Sequence, residues 1–266
     1  MKKVLSRDGT PIAFEQAGKG APIILVSPAL GDRSDMLTAP LAALLASHFT
    51  LYTYDRRGRG DSGDTTPYAV EREVDDIEAV INEAGGSAFV YGISSGAVLA
   101  LEAASKLPTK VKRLALYEPP FIVDKSRPPL PQDYVQHLTE LLSAGRRGDA
   151  VEYFMTAAVG IPAEYLAPMR SDPMWADMER LANTLPYDGT VMGDTMSGKP
   201  LPAEKWVSAT SPTLVMDGGE SDTWMRNGAR ALAEILPNAK YRTLEGQNHG
   251  IAPDALAPVL KEFFTV

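Results

Sequence analysis

The chain has 266 residues, and its 26 lysines and arginines against 34 aspartates and glutamates give a formal net charge of −8 at pH 7. This acidic balance argues against nucleic-acid binding, where phosphate neutralisation dominates affinity, and the absence of cysteine excludes disulfides, iron–sulfur clusters and thiolate nucleophiles. With three histidines, no membrane-length apolar run and no signal-peptide pattern, we expect a cytoplasmic protein without a metal site or membrane association.

The first half of the chain alternates β-rich runs with helical patterns. The apolar run at 22–26 is typical of a strand buried on both faces of a parallel sheet. Between 69 and 84, apolar residues recur at helical spacing. The βαβα order predicts an α/β protein whose mostly parallel sheet is doubly wound, with helices on both faces. The predicted elements here are strands at 12–15, 22–26, 50–54, 88–91 and 111–117, and helices at 37–47, 69–84 and 97–106.

The pattern changes after residue 120. From 121 to 205 the sequence predicts only helices, near 133–144, 150–159 and 174–183, separated by prolines. The β-rich runs then resume, with strands at 212–216 and 240–244 and helices at 225–236 and 254–264. We therefore expect one α/β core domain, made of residues 1–120 and 206–266, with an all-helical insertion at 121–205.

Residues 92–96 read Gly-Ile-Ser-Ser-Gly, directly between a predicted strand and a predicted helix. A turn this tight forces Ser94 into a strained conformation with positive φ, and the glycines let strand and helix approach closely. The strain would hold the Ser94 hydroxyl above the sheet at a helix N-terminus, where developing negative charge is favoured. The alternative interpretation is an ordinary Gly/Ser turn.

A serine needs a neighbouring base to become a nucleophile. His249 is the first candidate, because it lies in a loop between the last predicted strand and the last predicted helix. His48 is better explained as a surface residue at a helix end. His137 lies within the helical insertion, where it is either a solvated helix position or a residue facing the substrate.

The base in turn needs a carboxylate to orient the imidazole and stabilise its cation. The strand at 212–216 is followed by a turn that contains three acids. Asp222, beyond the glycines of this turn, is the first choice. Asp217, at the strand end, is the second choice, and Glu118, after the preceding strand, is the third.

The order Ser94, acid, His249 on alternating β and α elements resembles the α/β-hydrolase fold. The segment 54–63 (Tyr-Asp-Arg-Arg-Gly-Arg-Gly-Asp-Ser-Gly) resembles that family's strand-end turn, D-x-R-G-x-G-x-S. The resemblance covers about 12–117 and 210–264, and it implies that the insertion at 121–205 is a cap. It also implies an oxyanion hole formed by the backbone N–H groups of Ser95 and Ala29. At the second of these positions the chain departs from the family's common His-Gly-x, reading Ser-Pro-Ala-Leu-Gly at 27–31.

The resemblance implies a cofactor-independent serine hydrolase that cleaves a small-molecule ester, thioester or lactone through an acyl-enzyme on Ser94. Serine in place of aspartate at this position argues against epoxide hydrolase and haloalkane dehalogenase chemistry. Candidate substrate-binding residues in the cap are Tyr134, His137, Phe154 and Trp175. Two alternatives remain open. One is the same fold used for C–C bond hydrolysis, acyl transfer or cofactor-free lyase or oxygenase chemistry, and the other is a catalytically silent small-molecule receptor.

Overall fold

The computed structural model describes residues 1–265, whose strands form one eight-stranded sheet. Its order is β1-β2-β4-β3-β5-β6-β7-β8. Strand β2 runs antiparallel to β1 and β4, and the remaining neighbours are parallel. The strands are β1 Lys2–Leu5, β2 Pro11–Gly18, β3 Ala21–Val26, β4 Phe49–Tyr54, β5 Ala88–Ile93, β6 Val111–Tyr117, β7 Thr213–Gly218 and β8 Ala239–Leu244.

Ten α-helices lie between or after these strands in the described part of the chain. They are α1 Ala39–Leu45, α2 Val70–Glu83, α3 Ser95–Lys106, α4 Tyr134–Ser143, α5 Arg147–Tyr153, α6 Leu166–Met169, α7 Pro173–Leu181, α8 Leu185–Met192, α9 Thr223–Ile235 and α10 Pro253–Thr265. A π-helix over Phe154–Val159 and three short 3₁₀ segments extend the helical region. No helix among residues 1–265 has the length and apolar character needed to cross a membrane.

Helices cover both faces of the sheet, and the side chains of β3 point alternately to one face and the other. Ile24 and Val26 belong to the apolar cluster that packs α2, α3 and α9 on one face. Ile23 and Leu25 belong to the cluster that packs α1 and α10 on the other. All four side chains are fully buried, because successive residues of a strand point to opposite faces of the sheet. The mostly parallel, doubly wound sheet with helices on both faces that the sequence predicts is therefore confirmed.

The order of the strands determines where a site can form. The chain leaves β3 toward β4 on one side of the sheet and returns to β5 on the other, so β3 and β5 are neighbours at the point where the winding reverses. In open α/β sheets, ligands bind outside the carboxyl ends of the strands at such a point. The register pairs Val26 with Gly92, which places the loop after β3 beside the Gly-Ile-Ser-Ser-Gly turn after β5.

The connection between β6 and β7 contains helices and loops but no strand among the described residues, and residues 121–205 are here called the helical insertion. Helix α8 is not predicted from the sequence, because a proline such as Pro186 is typical of a break between helices. Pro186 lies in the first turn of this helix, where a missing backbone N–H and a fixed φ are tolerated. Strand β1 was also missed, since four residues with only two apolar side chains carry too little pattern.

Helix α3 anchors the turn after β5, so its packing should dominate the stability of this region. Leu99 is fully buried in the main core cluster, and Leu99→Ala should lower the free energy of unfolding by about 2–5 kcal/mol. Leu44 on α1 is 43% exposed, and Leu44→Ala should cost less than about 1 kcal/mol. Urea unfolding of both variants measures the difference, and equal losses would contradict the packing described here.

Candidate active site

Ser94 lies between the end of β5 and the start of α3 with φ 55° and ψ −128°. A Cβ on Gly92 would come 2.3 Å from the carbonyl oxygen of Gly96, and a Cβ on Gly96 would come 2.4 Å from that of Val26. Only glycine therefore fits at both flanking positions. The Ser94 N–H donates to the Tyr117 carbonyl at 3.0 Å, which ties the strained residue to β6. The turn geometry that the motif predicts is confirmed.

His249 follows β8 in the loop that precedes α10, and its side chain is 42% exposed. Its Nδ1 lies 2.8 Å from Oε2 of Glu118. The loop is held in place by the Tyr117 hydroxyl, which donates to the Asn248 carbonyl at 2.7 Å. A hydrogen bond from Nδ1 to a carboxylate leaves Nε2 free to accept a proton, as a general base requires.

Glu118 is completely buried directly after β6 and has φ 45°. Its Oε1 accepts from the Gly218 N–H at 2.7 Å, while its own N–H donates to the Met216 carbonyl at 3.0 Å. Both carboxylate oxygens therefore have partners, one on β7 and one on the imidazole. Positive φ in a residue other than glycine is costly and indicates a position that surrounding contacts enforce.

The structure corrects the choice of acid. Asp222 immediately precedes α9 and is exposed, with the Trp224 Nε1–H at 3.4 Å. No hydrogen bond between Asp222 and His249 occurs within residues 1–265. Asp217 is buried but accepts from the Tyr241 hydroxyl and from Arg226. Glu118, the third choice from sequence, is the carboxylate that contacts the imidazole. It directly follows β6, the neighbour of β5 in the sheet, whereas Asp222 lines the same cavity but is hydrogen-bonded by Trp224.

Ala29 and Ser95, the residues whose backbone N–H groups the family resemblance implies as oxyanion donors, lie close to Ser94. Ser95 is the first residue of α3, and the first four N–H groups of a helix have no partner within it. Ala29 lies in the loop after β3, next to Leu30, which has φ 56°. Ala29 and Ser95 both line the cavity described below. Both residues thus share one cavity with Ser94.

That space is a cavity of about 310 Å³ between the carboxyl edge of the sheet and the helical insertion. Its size is typical of a small-molecule site. Apolar side chains from the insertion and from α9 form most of its wall. The lining residues are Ala29, Ser94, Ser95, Pro120, Leu130, Tyr134, Phe154, Ala158, Val159, Asp188, Gly189, Met192, Met196, Glu220, Ser221, Asp222, Trp224, Met225, Asn248 and His249.

Of the four residues of the helical insertion expected to contact substrate, two line this cavity and two do not. Tyr134 and Phe154 are in the wall. Trp175 is buried within the helical insertion, where its Nε1–H donates to Glu179 at 2.8 Å. His137 packs edge-on against Tyr153, with ring centroids 4.5 Å apart, and is absent from the wall. Their helices turn these two side chains toward neighbouring helices, which a sequence pattern alone does not reveal.

A buried ionic cluster, not predicted from the sequence, lies beside the nucleophile turn. Arg56 forms a two-pronged pair with Glu73 at 2.7 and 2.8 Å, and it donates to Asp188 at 2.7 Å. Arg59 donates to the second oxygen of Asp188 at 2.7 Å, and the Ser95 hydroxyl donates to the first at 2.8 Å. A usable signal was present, since arginines at the end of a buried strand require buried carboxylates as partners.

Comparisons with known proteins agree with this architecture. The family model of the alpha/beta hydrolase family matches residues 23–261. A crystal structure of an alpha/beta hydrolase from Sphaerobacter thermophilus is 57% identical and superposes with a TM-score of 0.91, covering 99% of this chain and 100% of that one. The enol-lactonase from Burkholderia xenovorans is 22% identical, with a TM-score of 0.72 and complete coverage of both chains.

A curated relative, the zearalenone hydrolase of Cladophialophora bantiana, is 29% identical over 123 residues. That match covers 44% of this chain and 46% of the relative, so it spans less than half of the relative's length. The family match, by contrast, extends over nearly the whole described fold, from β3 to α10. The chain belongs to the alpha/beta hydrolase family.

Proposed function

We propose that this hydrolase is a cofactor-independent serine hydrolase that cleaves a carboxylic ester, thioester or lactone. One observation carries the proposal: the strained Ser94 shares a cavity with His249, and the imidazole is hydrogen-bonded to the fully buried Glu118. A nucleophile, a base and an orienting carboxylate in this relation form the arrangement of serine acyl-transfer enzymes.

In the proposed reaction, Ser94 Oγ attacks the carbonyl carbon while His249 Nε2 removes its proton. Glu118 accepts a hydrogen bond from Nδ1 and stabilises the imidazolium that forms. The N–H groups of Ala29 and Ser95 bind the oxyanion, where preorganised donors stabilise developing charge. The imidazolium then protonates the departing alcohol, thiol or ring oxygen, which leaves an acyl-enzyme on Ser94. Water, deprotonated by His249, releases the acid and restores the serine.

The wall of the cavity indicates which acyl groups fit. Leu130, Met192, Met196 and Trp224 present apolar surface. The charged side chains among the lining residues are all carboxylates, from Asp188, Glu220 and Asp222, although Asp188 is paired with two arginines. We propose that the helical insertion acts as a cap over an uncharged, mainly apolar acyl or alcohol group.

The nucleophile is tested by Ser94→Ala. This variant should lose turnover of p-nitrophenyl butyrate by a factor of roughly 10⁶ in kcat, because the neighbouring Ser95 hydroxyl is hydrogen-bonded to Asp188 and does not replace it. The exposed Ser47 provides the control, and Ser47→Ala should retain full activity. A fluorophosphonate probe should label the wild type at Ser94 and leave Ser94→Ala unmodified. Retained turnover in Ser94→Ala would overturn the mechanism, and absence of labelling in an active wild type would favour the non-acyl alternatives.

The acid is tested by comparing Glu118→Gln with Asp222→Asn. Glu118→Gln should lower kcat by up to about 10⁴-fold with little change in KM, because the amide no longer stabilises the imidazolium. Asp222→Asn should change kcat for the neutral ester p-nitrophenyl butyrate by no more than about threefold, since the imidazole is hydrogen-bonded to Glu118 and the Asp222 carboxylate accepts from Trp224 instead. The reverse order of effects, measured by steady-state kinetics, would restore Asp222 as the acid.

The charge of the cavity is tested with two substrates of equal acyl length, p-nitrophenyl butyrate and the p-nitrophenyl monoester of succinate. The neutral ester should have a kcat/KM about tenfold higher or more, because Glu220 and Asp222 repel a second carboxylate at the cavity wall. The double variant Glu220→Gln/Asp222→Asn should narrow this preference. Equal kcat/KM values for the two esters in the wild type would contradict the charge assignment.

A further inference from the structure

We propose that Asp188, on helix α8 of the helical insertion, is a positioning residue that fixes both donors of the oxyanion hole at once. Its carboxylate is hydrogen-bonded to Ser95 directly and to the Ala29 loop through Arg59. The position of α8 on the core therefore affects the rate of the chemical step. The inference rests on the proposed function, and it adds a role for a residue that lies far from the nucleophile in sequence.

The first link joins Asp188 to the nucleophile turn. Asp188 is 3% exposed and Ser95 is 4% exposed. The Ser95 hydroxyl donates to Asp188 Oδ1 at 2.8 Å. Because this side chain belongs to the residue whose backbone N–H is the first oxyanion donor, the hydrogen bond restrains the orientation of that N–H. Ser95 is thus held by the helical insertion as well as by its own helix.

The second link joins Asp188 to the loop after β3. Arg59 Nη2 donates to Asp188 Oδ2 at 2.7 Å. Through Nη1 the same guanidinium donates to the carbonyls of Pro28 at 2.6 Å and Gly31 at 2.9 Å. These carbonyls flank Ala29, the second oxyanion donor, on both sides. A guanidinium is planar and rigid, so the geometry of its donors fixes the positions of the Asp188 carboxylate and the two carbonyls relative to one another.

The electrostatics of the cluster keep these links in place. Asp188 and Glu73 balance the charges of Arg56 and Arg59 in a region where all four side chains are buried. Burial by itself would raise the pKa of Asp188, but the charges of Arg59 and Arg56 outweigh it, and the pKa lies below its usual range. The carboxylate therefore stays ionised above the ordinary aspartate pKa of about 3.9, and its contribution to stability is lost only as the pH falls through the lowered value.

Other contacts hold the same part of the insertion on the core without touching the oxyanion donors. Asn183 donates to the Gly58 carbonyl at 3.0 Å. The Tyr187 hydroxyl donates to Asp64 at 2.8 Å, and its ring stacks on Tyr68 with centroids 3.9 Å apart. Docking of α8 is thus secured next to Asp188 by contacts of its own. These contacts provide the control that separates positioning of the donors from docking of the helix.

The experiment compares Ser95→Ala with Tyr187→Phe. Ser95→Ala keeps the backbone N–H and removes only the hydroxyl that binds Asp188. Because complete loss of one oxyanion donor costs about 10²–10³ in kcat, partial misplacement should lower kcat for p-nitrophenyl butyrate by about tenfold, with KM unchanged. Tyr187→Phe removes one hydrogen bond between the insertion and the core and should leave kcat and KM at wild-type values.

Fluorophosphonate labelling distinguishes failure of the proposed serine hydrolase function from failure of the positioning role of Asp188. Wild type and Ser95→Ala should both be labelled at Ser94, the variant about tenfold more slowly. Failure of the wild type to be labelled at Ser94 would overturn the proposed function itself. Wild-type labelling with unchanged kcat in Ser95→Ala would overturn the positioning role alone. A rise in KM without a fall in kcat would also overturn it, because Ser95 would then contact substrate directly.

A second variant, Asp188→Asn, breaks both links together. It should lower kcat more than Ser95→Ala does, again with KM unchanged. The variant also leaves two buried arginines short of a carboxylate, so its folding is checked by thermal unfolding before kinetics. If it does not fold, the comparison of Ser95→Ala with Tyr187→Phe decides alone. An equal loss of kcat in Tyr187→Phe would show that any contact of α8 matters equally, and it would overturn the specific role of Asp188.

Discussion

The site depends on one backbone constraint: three neighbouring strands end at the same edge of the sheet, and after each of them the chain turns through a residue with positive φ. These residues are Leu30, Ser94 and Glu118, and they are the non-glycine residues with positive φ among residues 1–265. Each costs of order 1–3 kcal/mol. Their strain is offset by contacts between strands, such as the Ser94 N–H to the Tyr117 carbonyl and the Glu118 N–H to the Met216 carbonyl.

The consequence of this constraint is that one sheet edge supplies every group the proposed chemistry needs. The strand order brings the ends of β3, β5 and β6 side by side. The turn after β5 presents Ser94, the turn after β6 presents a buried carboxylate, and the loop after β3 presents an N–H beside them. His249 comes from the loop after β8 and reaches the acid across the end of β7, where Gly218 donates to the same carboxylate. The rigid sheet therefore fixes the relation between the acid and the base.

The helical insertion does more than line the cavity. Its helix α8 inserts Asp188 among Arg56, Arg59 and Ser95, so the edge of the sheet and the insertion share one buried ionic cluster. Breaking such a cluster by removing one partner leaves an uncompensated charge, which is far more costly than the loss of a surface pair. The arginines of the segment after β4 thus have a role in joining two parts of the chain, beyond shaping a turn.

Much of the fold could be predicted from the sequence, because the periods of strands and helices and the glycines around Ser94 are local properties. The failures were long-range. Asp222 was preferred to Glu118 as the acid, although Glu118 meets His249 across 131 positions of sequence. Trp175 and His137 were expected in the cavity wall, but the packing of the helical insertion turns them elsewhere. Which face of an insertion helix points at the sheet is set by tertiary contacts, and the insertion has few periodic signals to reveal it.

The sequence by itself determined the alternation of strands and helices, the strained serine turn and the small number of histidines available as a base. These are properties of neighbouring residues, since steric limits on φ and the spacing of apolar side chains operate within a few positions. The tertiary structure alone decided which carboxylate contacts the imidazole, which side chains line the cavity, and that Asp188 joins the insertion to the nucleophile turn. Those choices depend on how the ends of separate strands and helices meet in space. The separation of two residues along the sequence does not determine the distance between them in the folded chain.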